Sequence, residues 1–268
     1  MIPAIDTHCH IYPDAIAARA VVGIGNFYNR PLMYDGRVCT LLAEGKRAGI
    51  VHFIVSSVAT TPHQVKAINM FIAKTVQQHK DEMTGLGTLH PDSTDQAGDV
   101  RQLLELGLVG VKLHPDTQKV AVDDPRYLKI FELCEGVLPI CCHMGDNRYD
   151  YSNPNRVIPV LRSFPDLCLI GAHFGGWSIW KEAAPKLCEY SNLMVDCSSA
   201  LFALTPEEAL HIIRLYGAQR VIFGTDYPMW SAVEERNRFD SLALTEKEQM
   251  EILYQNAAEL YHITINND

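Results

Sequence analysis

The 268 residues carry 23 Lys and Arg against 32 Asp and Glu, a formal charge of -9 that argues against a nucleic-acid backbone as partner. With 47% hydrophobic and 21% charged residues the chain reads as an ordinary globular protein with a sizeable core, which excludes disordered and fibrous classes. No apolar run approaches the roughly 20 residues of a membrane span.

The N-terminus Met-Ile-Pro-Ala lacks the basic and apolar segments of a signal peptide, so a cytoplasmic location is expected. Eight cysteines lie at Cys9, Cys39, Cys134, Cys141, Cys142, Cys168, Cys188 and Cys197 without a CxxC pair. Several fall in apolar runs, where a thiol packs as a small hydrophobe, and they are expected to be reduced.

In chain order, short apolar runs alternate with amphipathic ones. The runs 2–7, 51–57, 84–89, 109–114, 138–143, 167–173, 193–197 and 220–225 predict strands. Helices are predicted over 62–79, 96–106, 125–135, 154–163, 178–189, 206–216 and 246–261, the last capped by Thr245. Pro62, Pro125, Pro154 and Pro206 stand at helix starts, where a missing N–H costs nothing.

Eight βα units fit a closed barrel, and no GxGxxG follows the first strand to suggest an open dinucleotide-binding sheet. The predicted fold is therefore α/β, a single (β/α)₈ TIM barrel over residues 1–268. It carries one long insertion after strand one, spanning 11–49. Gly23, Gly25, Asn26, Asn29 and Pro31 break the first half of that insertion. It reads as a loop over the barrel mouth, followed by the first outer helix.

Strand one ends Asp6-Thr7-His8-Cys9-His10, and alternation along a strand sends His8 and His10 to the same side. Alone, an HxH pair is a weak signal. Strand five ends at His143, strand six at His173, strand four carries Lys112 and His114, and Asp226 follows strand eight. A barrel gathers all strand C-termini at one mouth, so these groups share a pocket. Imidazole and carboxylate donors suit zinc, manganese, iron, nickel or cobalt.

Six segments then resemble the amidohydrolase superfamily, in its amidohydrolase-related branch that includes aminocarboxymuconate semialdehyde decarboxylase and γ-resorcylate decarboxylase. They are residues 6–10, Gly110-Val111-Lys112-Leu113-His114-Pro115, 139–145, Ala172-His173-Phe174-Gly175-Gly176, 223–228 and Asn256-Ala257-Ala258-Glu259-Leu260. Together they span nearly the whole chain in the superfamily's order. The resemblance implies one divalent metal ion held by His8, His10, His143 and Asp226, with zinc the expected ion. It places His173 beside the metal as an acid/base or substrate-polarising group.

Lys112 has two readings. It either becomes a carbamate bridging a second metal, as in binuclear phosphotriesterase-like members, or stays a cation for a substrate carboxylate or a nearby acid; the mononuclear reading is preferred. His114 either lines the pocket or is structural. Arg19, Arg30, Arg37 and Arg148 lie in mouth loops and read first as solvated side chains.

The leading functional reading is hydrolysis of an ester, lactone or amide by a metal-activated water, with Asp226 taking the proton and His173 stabilising the oxyanion. The alternative is non-oxidative decarboxylation of an aromatic or muconate-like acid. A third reading is a catalytically inactive binding barrel. The expected partners are a small-molecule substrate, such as a carboxylate, and a second copy in a homodimer, with no nucleic acid and no membrane.

Overall fold

A computed structural model describes residues 2–264. Its strands are β1 (Ala4–His10), β2 (Ile50–Ser56), β3 (Met83–Gly85), β4 (Gly87–Thr88), β5 (Val111–Leu113), β6 (Ile140–Cys142), β7 (Leu169–Gly171), β8 (Leu193–Asp196) and β9 (Val221–Ile222). All pairings between neighbours are parallel. β3 and β4 are one barrel strand interrupted at Leu86, whose N–H donates to Val55 O while that of Gly87 donates to Gly110 O, so the ladder continues on both sides.

Closure comes from the chain after β9. The N–H of Thr7 donates to Phe223 O at 2.9 Å and that of His10 to Tyr227 O at 2.7 Å, and Cys9 pairs with Tyr227. The result is the eight-stranded TIM barrel that the alternating pattern predicts. Ile5, Ile54, Leu86, Cys141, Ile170 and Ile222 form a buried cluster contributed by six of the strands, joined by Ala257 and Tyr261 of the C-terminal helix. A larger cluster packs strands against outer helices through residues such as Ile72, Leu103, Ile130 and Val157.

The four prolines stand at the first helical positions of the segments Pro62–Gln64, Pro125–Cys134, Pro154–Ser163 and Pro206–Tyr216. Thr245 caps the last helix, and its side chain accepts from the Glu248 N–H. That helix is not continuous as predicted. A π-helical turn over Glu251–Gln255 separates Glu246–Met250 from Asn256–Leu260. Its Ile252 carbonyl accepts the Phe223 N–H at 3.0 Å, which ties the helix to the strand beside the mouth. Helices at Ala232–Asp240 and Pro115–Gln118 were not anticipated from the pattern.

The largest correction concerns the insertion. Its first half is a 15-residue helix, α1 (Asp14–Tyr28), and α2 (Val38–Arg47) is the first outer helix. Glycine costs a helix about 1 kcal/mol per residue but does not forbid one. α1 stops at Asn29, in the left-handed conformation at φ 50°, and the chain folds back so that Arg30 N–H donates to Gly25 O. A Cβ on Gly25 would lie 2.8 Å from Arg30 O, so this glycine serves the reversal.

Among the described residues no helix is long and apolar enough to cross a membrane, and all eight cysteines are unpaired.

Candidate metal centre

The β1–β2 register slips between Asp6 and Cys9, which re-phases the strand end so that His8 and His10 both face the mouth. Their Nε2 atoms lie 3.2 Å apart, and each lies 3.5 Å from Asp226 Oδ1. Ligands about 2.0–2.1 Å from a tetrahedral ion stand roughly 3.3–3.4 Å from one another, so this spacing matches a metal-sized gap. The orientation is fixed from behind. His8 Nδ1 lies 2.9 Å from Asp196 Oδ2, and a carboxylate only accepts, so the proton sits on Nδ1 and the Nε2 lone pair faces the site.

An amine already contacts that lone pair. Lys112 Nζ donates to His8 Nε2 at 2.9 Å and to Cys141 Sγ at 3.5 Å. The lysine is buried, with no carboxylate in ion-pair range among the described residues. The imidazole and carboxylate donor set fits a divalent metal.

His143 lies outside that cluster and falls in ligand range of His114 and Asp116 instead. Its Nδ1 lies 3.2 Å from His173 Nε2, its ring stacks on His114 at 3.9 Å, and its Nε2 is buried without a hydrogen-bond partner. The structure therefore brings His8, His10 and Asp226 together within ligand range, and links His143 to them through His173. His173 and Asp226 both adopt left-handed backbone, with φ of 60° and 59°. Non-glycine residues hold this conformation at a cost that the surrounding packing must support.

Burial sets the protonation of the site. It pushes the Asp226 carboxyl up to about 7, although Ser199 Oγ donates to Oδ2 at 2.5 Å. Burial with nearby positive groups lowers His8, His10, His114 and His143, and brings His173 down to about 3, so these rings are neutral.

His114 has both of its expected roles. It lines the cavity and hydrogen-bonds Tyr28 through Nε2 at 2.8 Å, while its Nδ1 accepts from Thr117 N–H at the start of Pro115–Gln118. Arg148 is not simply solvated. It pairs with Asp146 at 2.6 Å, donates to Phe27 O, and lies about 5 Å from four aromatic rings. Arg30 rests on Phe202 and Trp230. Arg19 lines the cavity, and Arg37 pairs weakly with Asp14 and Asp35.

Sequence reading passed over Asp196, Ser198 and Ser199. Asp196 receives His8 Nδ1, the His173 N–H and the Ser198 hydroxyl. A signal was present, since Asp196 lies one residue before the end of the predicted strand 193–197. Ser199 links Asp226 to Trp230 Nε1, an arrangement with no sequence signature.

A family model described as amidohydrolase matches residues 5–263. The chain belongs to the amidohydrolase family. It is 27% identical over 203 residues to the 2-amino-3-carboxymuconate-6-semialdehyde decarboxylase of Dictyostelium discoideum, a match covering 60% of this amidohydrolase. The matched stretch spans 55% of that relative's length. Among solved structures it resembles an uncharacterized TIM-barrel protein of Bordetella bronchiseptica, with a TM-score of 0.81, 23% identity, and coverage of 96% of this chain and 98% of that one. It also resembles a dihydroxybenzoic acid decarboxylase of Polaromonas sp. JS666 with bound manganese and the inhibitor 2-nitroresorcinol. That match has a TM-score of 0.74, 17% identity, and coverage of 98% and 97%.

Proposed function

We propose that this amidohydrolase is a metal-dependent, non-oxidative decarboxylase of a small carboxylic acid. The observation that carries this reading is the likeness to the muconate-semialdehyde decarboxylase; it favours the carbon–carbon lyase alternative over the ester, lactone or amide hydrolysis that was the leading sequence reading. The cavity chemistry supports it. Arg19, Lys112 and Lys119 line a space in which Asp226 is the sole carboxylate among the described lining residues, and such a surface favours an anion.

In this proposal His8, His10, His143 and Asp226 hold one divalent ion, zinc or manganese. Such an ion supplies fixed positive charge that orients oxygen donors of the substrate. Lys112 remains a cation and positions the carboxylate that leaves. The bond between that carboxylate and the substrate skeleton breaks, the electron pair stays on the skeletal carbon, and carbon dioxide departs. Asp226 relays a proton to that carbon. His173, held through Nδ1 by Ser198, polarises the substrate, one of the roles the sequence reading gives it.

The test combines metal analysis with product analysis. The protein, loaded with zinc or manganese, should carry about one equivalent, lost in a His8→Ala, His10→Ala double variant. With a panel of hydroxybenzoates and muconate semialdehydes in D₂O it should release carbon dioxide and place one deuterium on the product carbon. Turnover of esters or lactones without release from any acid would return the assignment to hydrolysis.

A further inference from the structure

The cavity is larger than the chemistry just described needs. It measures about 710 Å³, and the metal-site side chains make up only part of its lining. A carboxylated ring of about ten heavy atoms, even at the ~30 Å³ each that a water occupies in the liquid, fills less than about half of it. Ligand cavities normally match the greater part of what they bind.

Much of the remaining lining is apolar, with Arg19, His63 and Gln64 also part of it. α1 contributes Ile16, Ala20, Gly23 and Ile24 to the lining, and the helix α3 (Val65–Gln78) contributes Ile68 and Phe71. This part is continuous with the donor cluster and forms one cavity with it. Gly23 is an exposed lining residue of this part, and a Cβ built there would meet no atom within 4 Å. The glycine relieves no backbone crowding, and it adopts ordinary helical dihedrals. Its effect is to leave open the space that any larger side chain would occupy.

We propose that the apolar part of the cavity is a subsite for a hydrocarbon extension of the acid substrate, an alkyl chain or second ring, and that Gly23 sets the length accepted. The inference rests on the decarboxylase reading only for the carboxylate end of the ligand. The extension lies against α1 and α3 with its carboxylate toward Lys112, and the hydrophobic effect supplies its affinity.

Binding can test this without turnover. Benzoate, 4-propylbenzoate and 4-hexylbenzoate are titrated calorimetrically into zinc-loaded protein. In the wild type Kd should fall up to about fourfold per buried methylene, the equivalent of ~0.8 kcal/mol. In Gly23→Leu the hexyl compound should lose at least about tenfold while benzoate binds as before. Gly23→Ala, the smaller change, should show a partial loss, and circular dichroism verifies that both variants fold. Equal affinity across the series in the wild type, or an unchanged length dependence in Gly23→Leu, overturns the subsite. If the length dependence appears but no acid releases carbon dioxide, the decarboxylase reading fails and the subsite stands. If carbon dioxide is released and the length dependence is missing, the reverse holds.

Discussion

Asp196 Oδ2 accepts the Nδ1–H of His8 at 2.9 Å, so a carboxylate from the seventh barrel strand decides which nitrogen the first strand offers to the site. The same side chain accepts the His173 N–H and the Ser198 hydroxyl through Oδ1, which locks the two histidines relative to each other. Outer partners of this kind typically contribute 10- to 100-fold in metal affinity. Asp196→Asn should weaken the metal by about that factor, as measured by competition with a chelator. An unchanged affinity would mean that His8 needs no such partner.

Asp226→Asn keeps the shape of the side chain and removes its charge and its ability to carry the proton. With metal saturating, kcat should fall by about 10² to 10⁴ while circular dichroism stays that of the wild type. Near-normal turnover would remove Asp226 from the proton path.

Glu235 tests buried charge away from the cavity. Burial pushes its carboxyl up to about 7 despite the Arg238 guanidinium on its Oε1. Its folded value thus lies above the unfolded 4.5, so between these pH values the native state keeps a proton that the unfolded chain has released. That makes the wild type lose stability as pH rises through the window. Glu235→Gln abolishes this loss, and the variant should gain on the wild type by on the order of 3 kcal/mol between pH 4.5 and 7, with no further change above it. Urea unfolding at four pH values measures the difference, which a mainly structural Glu235 would leave flat.

Arg148 clamps the C-terminal end of α1, bonding to Phe27 O while paired with the buried Asp146. Arg148→Met leaves that carboxylate without its cation, a loss of about 1–3 kcal/mol. Hydrogen exchange should show the drop in protection concentrated in α1. A uniform drop over the barrel would separate the clamp from the helix.

Much of this protein was legible along the chain because its information is local. Eight apolar runs with prolines at helix starts imply parallel strands joined by helices, and histidines at strand ends imply a loaded mouth, because alternation and barrel closure follow from backbone geometry. Tertiary structure decided the rest. α1 forms through its glycines because its far end is seated on His114, Trp177 and Arg148, contacts between segments over 80 residues apart that no local propensity records. The phase of His8 and His10 depends on a slipped register against β2, and their tautomer depends on Asp196, 188 residues from His8. The sequence named the chemical groups at the mouth; only packing between distant segments determined which lone pairs face one another and how much space lies beside them.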